Sequence, residues 1–244
     1  MISIGQRLTV LPVIDSTNNY AMARVRAGLA SHGDAFFTLE QTAGKGQRGK
    51  GWQTAPGENI IMSNVVQPQG LAVSQQFTLS AAIALGCYDF FAAFAGSGTQ
   101  IKWPNDIYWS DRKAGGILIE NLISGHLWQF AIIGTGININ QGQFPTHLPN
   151  PVSLKQITGK THDVIELAQQ LCACLQQRYL QTDNQAGLIA DYNAVLYKRH
   201  QTVRLKKDNR VFDALIKEVN AAGQLIVDTA IEEQFGFGEV EWVI

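Results

Sequence analysis

The chain has 244 residues, of which 45% are hydrophobic and 16% charged, and its formal net charge at pH 7 is −1. This composition is typical of an ordinary globular protein and excludes a disordered or fibrous chain. The near-zero net charge gives no indication of a protein that coats nucleic acid or anionic membrane, so any basic site must be local.

Strands and helices are both predicted in the first part of the chain. The strands are 8–14, 35–41 and 59–67, and the helices are 20–27 and 74–94. The second helix is apolar nearly all round, which indicates a buried helix that packs across a sheet. Side chains of the polar turn 15–18 could cap the first helix.

Four strand-like runs then follow in close succession, at 100–103, 107–109, 116–123 and 128–139. Connections this short favour antiparallel pairing. Two further helices are predicted at 164–182 and 186–196. We therefore expect an α+β catalytic unit over residues 1–196, with a mixed sheet and packed helices.

The pattern changes after Arg199 to short alternating runs at 203–205, 212–219, 224–228 and 240–244. Several short strands joined by turns cannot build a broad sheet, so we expect residues 197–244 to form a small β-barrel.

A basic glycine-rich loop, GKGQRGKGW, occupies residues 44–52 between two predicted strands. Exposed backbone N–H groups and three cations suit a phosphate. The dinucleotide fingerprint G-x-G-x-x-G is present, but no helix follows it, and the Walker sequence fails because Gly51 follows Lys50. Taken alone, a flexible solvated loop is an equally good interpretation. Trp52 favours a binding role, because an aromatic ring beside a mobile loop can cover a purine.

A second polar motif, KWPND at 102–106, is followed by Asp111-Arg112-Lys113 in the next turn. If hairpin pairing brings Lys113 near Asp106, an ammonium could neutralise developing negative charge while a carboxylate receives or orients a proton. A lone lysine or aspartate at a hairpin tip is more often simply solvated. Gly115 and Gly116 favour the site, because a strand glycine lets a ligand approach closely.

Other site chemistries lack support in the sequence. It contains neither G-x-S-x-G nor H-E-x-x-H, and its five histidines are scattered, so we expect no protein-held metal. Three cysteines cannot form a closed disulfide framework, which favours a reducing compartment. The amino terminus has no signal-peptide pattern and no stretch approaches eighteen apolar residues, so we expect a cytoplasmic protein with neither a membrane nor a nucleic-acid partner.

Five segments together resemble the biotin–protein ligase family in content and in order. They are DSTNN (15–19), QTAGKGQRGKGW (41–52), IKWPNDIYW (101–109), DRKAGGILIE (111–120) and GTGININ (134–140). The resemblance implies a class II aminoacyl-tRNA synthetase-like catalytic domain followed by a small barrel of the Src-homology-3 type. It also implies an enzyme that adenylates biotin with ATP and transfers biotin to a lysine of a biotin carboxyl carrier protein.

Site residues carried over from the family fall into three groups. Those expected to bind biotin are Ser16, Thr17, Asn18, Gln41, Gly44, Lys45, Gly46, Gln47, Lys113 and Gly116. Those expected around the nucleotide are Arg48, Trp52, Lys102, Asn105 and Asn138. The catalytic group is Lys113 on the biotin carboxylate and α-phosphate, Asp106 on the incoming lysine, and Lys45. Mg²⁺ would arrive with ATP, no tightly bound cofactor is expected, and a homodimer is one assembly the resemblance allows.

Two features depart from many relatives. Many relatives carry a run of arginines in the glycine-rich loop. Here three of those positions are Lys45, Gln47 and Lys50, so Arg48 is the loop's only arginine. Because glutamine lacks the charge, we expect a weaker hold on the adenylate, measurable as faster dissociation than from a Gln47→Arg variant; equal rates would contradict this. In addition, bifunctional relatives place a helix-turn-helix domain before a catalytic pattern that here begins near residue 8. We therefore expect no repressor role.

Two rival functions remain. A lipoyl or octanoyl ligase shares the fold and the adenylation chemistry, although the paired loop and KWPND motifs match the biotin branch. A non-catalytic sensor of biotin or nucleotide could use the same scaffold, although Lys113 and Asp106 argue for an active enzyme.

Overall fold

The computed structural model describes residues 2–148 and 150–243. The helices are α1 (Thr17–Arg26), α2 (Gln76–Ala95), α3 (Leu154–Thr158), α4 (Val164–Tyr179) and α5 (Gln185–Ala194). The strands are β1 (Arg7–Ile14), β2 (Asp34–Gln41), β3 (Asn59–Val66), β4 (Thr99–Lys102), β5 (Asp106–Trp109), β6 (Arg112–Ser124), β7 (Leu127–Asn138), β8 (Thr202–Lys207), β9 (Arg210–Val219), β10 (Leu225–Asp228), β11 (Glu232–Phe235) and β12 (Glu241–Val243).

The larger sheet has seven strands in the order β1-β2-β3-β7-β6-β5-β4. β1 runs parallel to β2, and the remaining pairs are antiparallel. The mixed α+β fold is therefore confirmed, as is the antiparallel succession from β4 to β7. Helix α1 begins at Thr17 because the Ser16 side chain accepts a hydrogen bond from the Asn19 N–H group, which caps the helix.

Helix α2 crosses one face of this sheet and forms the centre of the hydrophobic core. Phe90, Phe91 and most of its other apolar side chains are buried. It lies so close to α4 that a Cβ atom on Gly86 would stand 2.9 Å from Leu175 Cα. The segment Val73–Gly98 is long and apolar enough to cross a membrane by length and composition, but 67% of its most apolar window is buried inside the protein. Such burial is the pattern of a core helix.

The smaller sheet has five antiparallel strands in the order β11-β10-β9-β8-β12. It is attached to the larger sheet through the KWPND turn, where the Trp103 indole N–H donates to the Gly223 carbonyl at 2.9 Å. The Asn193 side chain also bridges α5 to β9, through bonds of 2.9 and 2.7 Å with the Val219 backbone.

Two elements were not predicted from the sequence. Helix α3 spans only five residues, too few for a clear helical period, and begins at a capping box formed by Ser153 and Gln156. Strand β11 carries two glutamates and so lacks the apolar character typical of a strand. The last predicted strand reaches residue 244, which lies outside the described residues.

Candidate functional site

Lys113 and Asp106 form an ion pair, with Lys113 Nζ 2.7 Å from Asp106 Oδ1. A β-bulge produces this contact: Ile107 pairs with Gly115, but the next β5 residue, Tyr108, pairs with Lys113. Because side chains alternate along a strand, the extra residue moves Lys113 onto the face that Asp106 occupies. The two side chains are only 28% and 21% exposed, so the pair lies in a partly desolvated position.

Beside this pair, β6 and β7 present a surface without side chains. Gly116 pairs with Gly136, and Gly134 lies two residues further along the same face of β7. We call Gly116, Gly134 and Gly136 the glycine floor. A Cβ atom on Gly116 would lie 3.4 Å from Asp106 Oδ1 and 3.5 Å from Lys113 Nζ. The floor thus lets a ligand lie against the backbone within reach of both charges.

The indole of Trp52 covers one end of the glycine floor. A Cβ atom on Gly136 would come within 2.4 Å of the ring, so any larger residue there would displace it. Lys113 Nζ lies 5.9 Å from the centre of the same ring. Among the described residues, Trp52 Nε1 is a buried donor without an acceptor. A buried unpaired donor is costly, so this indole is suited to donate to a ligand.

The other end of the floor meets a chain of buried and half-buried polar side chains. Gln41 Oε1 accepts from the Thr17 N–H group at 2.7 Å, and Ser63 Oγ lies 2.7 Å from Thr17 Oγ1 and 2.6 Å from Asn18 Oδ1. Asn18 Nδ2 in turn donates to Glu120 Oε2 at 2.7 Å. The single proton of Ser63 can serve only one of its two neighbours at a time, so the chain can adapt to a polar ligand.

The same end packs tightly against the floor. Asn18 lies so close to Gly134 that a Cβ atom there would be 2.4 Å from Asn18 Oδ1. Ser16, Thr17 and Asn18 are at most 4% exposed. Gly44 also permits a close approach, since its Cβ would stand 2.8 Å from Gln41 Nε2. These residues are therefore held in a rigid, preorganised wall.

The glycine-rich loop folds into a small hairpin. Its stem is closed by the bonds from Gly46 N to Lys50 O at 2.7 Å and from Trp52 N to Gly44 O at 2.9 Å. Lys45 Nζ donates to Asn19 at the rim of the polar chain. At the tip, Arg48 has a left-handed backbone (φ 57°). Its guanidinium packs against Gly238, which lies between β11 and β12.

Three of the residues predicted to lie around the nucleotide are held by other protein groups. Asn105 Nδ2 donates to the Ile117 carbonyl, and Asn138 Nδ2 donates to the Val152 carbonyl at 3.1 Å. Lys102 Nζ lies 3.1 Å from the Tyr108 hydroxyl, and burial lowers the pKa of this lysine to about 8. Their contact with a nucleotide stays a prediction.

Gln47 lies in a different environment from the rest of the loop. Together with Asn105, Ile117 and Phe237 it lines a groove of about 520 Å³ between β6, the start of α2 and loops of the smaller sheet. The structure therefore brings Lys113, Asp106 and Trp52 together at one end of the glycine floor and the Thr17–Asn18–Gln41 chain at the other. Gln47 and Arg48 are directed away from it, towards the smaller sheet.

Ser63 was not singled out from the sequence. It lies in β3, every residue of which is buried, and one serine in such a run is typical of a core strand. Asn59 and Gln141, at most 3% exposed, were also missed. A buried Ser, Asn or Gln can be recognised only once its partners are known.

The charges of the site suit an anionic ligand. Lys113 and Asp106 lie beside the floor. Lys45 lies at the rim of the polar chain, where it bonds to Asn19, and Glu120 accepts from Asn18 at the other end of the floor. Within residues 2–148 and 150–243, no group of three or more His, Cys, Asp or Glu side chains could hold a metal ion. The arrangement can accordingly neutralise a carboxylate or phosphate and offer one carboxylate as a proton acceptor.

Comparison with known proteins gives a consistent result. A model of the biotin/lipoate A/B protein ligase family matches residues 10–138. The bifunctional ligase/repressor BirA of Bacillus spizizenii is 36% identical over 72% of this chain and 54% of its own length. A biotin–[acetyl-CoA-carboxylase] ligase of Paracoccus denitrificans is 34% identical over 69% of this chain and 71% of its own. This chain spans about half the length of the first curated relatives it matches.

Among solved structures, the fold is similar to that of a biotin protein ligase from Aquifex aeolicus in complex with biotin and ATP. The TM-score is 0.82, and the match covers 97% of this chain and 98% of the other. The identity is 22%, so this likeness concerns the fold alone.

Proposed function

This chain belongs to the biotin/lipoate A/B protein ligase family, and on that premise we propose that it activates biotin with ATP and transfers biotin to a lysine of a carrier protein. The observation that carries the proposal is the Lys113–Asp106 pair beside the glycine floor, at 2.7 Å. It supplies a fixed cation for the activation step and a carboxylate for the transfer step.

In the first step, a carboxylate oxygen of biotin attacks the α-phosphorus of ATP. The bond between the α-phosphorus and the bridging oxygen breaks, releasing pyrophosphate and leaving biotinyl-5′-AMP. Negative charge accumulates on the phosphoryl oxygens as this happens, and the ammonium of Lys113 can stabilise it from a partly desolvated position. Mg²⁺ would accompany the ATP phosphates.

In the second step, the amine of the carrier lysine attacks the biotinyl carbonyl and AMP leaves. The amine must lose protons to attack and to form a neutral amide. We propose that Asp106 accepts or orients that proton, because its carboxylate lies at the floor where the mixed anhydride would form. Trp52, which covers the floor, would shield the anhydride from water.

We place biotin's ring system against the polar chain of Thr17, Asn18, Gln41 and Ser63. These side chains offer both donors and acceptors and are held by bonds of 2.6 to 2.7 Å. The floor between this wall and Lys113 would accommodate the acyl chain, which points the carboxylate towards the charge pair. Lys45 and the loop hairpin would close the rim, and Asn105, Asn138, Lys102 and Arg48 would surround the nucleotide.

The proposal extends to the second domain, the protein partner and the cellular location. The antiparallel sheet β8–β12 supports our division at residue 197 and a small barrel of the Src-homology-3 type. The biotin carboxyl carrier protein is proposed as the partner because related proteins carry the name of biotin–[acetyl-CoA-carboxylase] ligase. The three free cysteines, two of them buried, accord with our proposal of a cytoplasmic location.

The test is an incubation with ATP, Mg²⁺, labelled biotin and a biotin carrier domain, scored for label on the carrier lysine. We expect label that depends on ATP and is absent when the carrier lysine is replaced by arginine. A parallel reaction with labelled lipoate and a lipoyl domain separates the two branches of the family. Labelling by lipoate instead of biotin, or by neither, would refute the proposal.

A further inference from the structure

A buried amide outside the proposed chemistry joins the two segments that border the site. Gln141, 3% exposed, follows β7, and its Oε1 accepts from the Ala55 N–H group at 3.1 Å and from Asn59 Nδ2 at 2.6 Å. Its Nε2 donates to the Gln143 carbonyl at 2.9 Å. Both polar atoms of this side chain thus have partners within the protein.

The first of these contacts acts on the segment that carries Trp52. This segment runs from Trp52 to Gly57. The Ala55 N–H group in its middle donates to Gln141, and the Gly57 N–H group at its end donates to the Leu39 carbonyl. Asn59, 1% exposed, fixes Gln141 in turn, since its Oδ1 accepts from the Ile139 N–H group at 2.9 Å. A side chain that follows β7 thus holds the backbone three residues after Trp52.

The other contact acts on the segment that borders Lys113. After Gln143 the chain returns to this lysine, whose N–H group donates to Asn150 O at 2.9 Å and whose carbonyl accepts from Val152 N at 2.8 Å. Gln141 thus contacts Ala55, three residues after Trp52, and Gln143, which precedes the residues that bond to Lys113.

We infer that Gln141 is a positioning residue that keeps Trp52 closed over the adenylate. The inference rests on the proposed function, because it presumes that an adenylate forms on the floor. Loss of the amide would leave the Ala55 N–H group and Asn59 Nδ2 without a buried acceptor, so the segment would move outward to reach water. Trp52 would then cover the intermediate for less of the time.

The test uses Gln141→Met, which keeps the length of the side chain but removes its hydrogen bonds. We expect biotinyl-5′-AMP to dissociate about tenfold faster than from the wild type, the change that follows from one lost buried hydrogen bond. Biotin affinity in the absence of ATP should be unchanged, because the polar wall around Thr17 does not contact Gln141. An unchanged dissociation rate would overturn the inference.

Asn140→Leu is the matched control. This neighbouring amide also makes two hydrogen bonds, but both join it to His162, at 2.8 and 3.0 Å, and neither reaches Ala55. We expect it to keep the wild-type dissociation rate. Equal acceleration in both variants would show a general loosening of this region and would contradict a specific role for Gln141.

A double-mutant cycle separates positioning of Trp52 from a merely structural role. If Gln141 acts through Trp52, the variant Trp52→Ala/Gln141→Met should release the adenylate no faster than Trp52→Ala alone. Additive effects would overturn the inference. Hydrogen exchange of the peptide 53–58 should also be faster in Gln141→Met, and unchanged exchange would count against it. A wild type that forms no adenylate would refute the proposed function, while the exchange comparison would still decide whether Gln141 holds this segment.

Discussion

Replacing Lys113 by alanine is expected to reduce biotin-dependent exchange of pyrophosphate into ATP by about 10² to 10³-fold, as removal of one preorganised charge-stabilising donor does. The ammonium is the cation that lies against both Asp106 and the glycine floor. Because the pair is partly exposed, its loss should lower the free energy of unfolding by no more than about 1 kcal/mol. The measurement is exchange at saturating biotin, with thermal unfolding in parallel.

Lys217→Ala provides the matched control for this experiment. Lys217 also makes an ion pair, with Glu232 at 2.6 Å, but it lies in the smaller sheet. Wild-type exchange in the control and lost exchange in Lys113→Ala would assign the effect to the site. Full exchange activity in Lys113→Ala would refute the role of this lysine.

The second large effect is expected from Asp106→Asn, which preserves shape but removes the proton acceptor. Transfer of biotin from preformed biotinyl-5′-AMP to the carrier should slow by about 10³-fold, within the range for loss of a general base. Adenylate formation should fall much less, because Lys113 remains. The measurement is a single-turnover transfer assay beside the exchange assay.

The pH dependence of this variant gives a further check. A lysine amine has a pKa near 10.4. At pH values below this pKa, its neutral fraction rises about tenfold with each unit increase in pH. The residual transfer rate of Asp106→Asn should rise in the same proportion. Asp228→Asn, which alters a half-buried aspartate 3.7 Å from Lys217 in the smaller sheet, should keep wild-type transfer. Equal losses of adenylation and transfer in Asp106→Asn would contradict the separate roles of Asp106 and Lys113.

The Lys113–Asp106 contact shows how far the sequence could predict this site. The short turns between β4 and β7 indicated a hairpin that could bring the two residues together, and the structure places them in contact. The sequence did not indicate the β-bulge after Ile107, on which the shared face of the two side chains depends. Bulges arise from pairing between strands, and no local residue pattern specified this one.

The KWPND motif contains residues of two kinds that the sequence could not separate. Asp106 lies at the glycine floor, whereas Trp103, 2% exposed, attaches the smaller sheet through its bond to Gly223. Only the contacts of each residue show that Asp106 belongs to the site and that Trp103 has a structural role. The partner of Trp103, Gly223, lies 120 positions away in the sequence.

Helix α2 has a consequence for the synthesis of the protein. Its apolar surface is covered in part by α4, and about 84 residues separate Ala95 from Tyr179 at the end of that helix. At translation rates of roughly 5–20 residues per second, α2 waits about 4 to 17 s for this cover. During that interval a segment as apolar as a membrane span lies open to chaperones and to other nascent chains. Fragments that end before Val164 would lack α4 and leave the surface of α2 that it covers exposed, so we expect them to aggregate more readily than the whole chain.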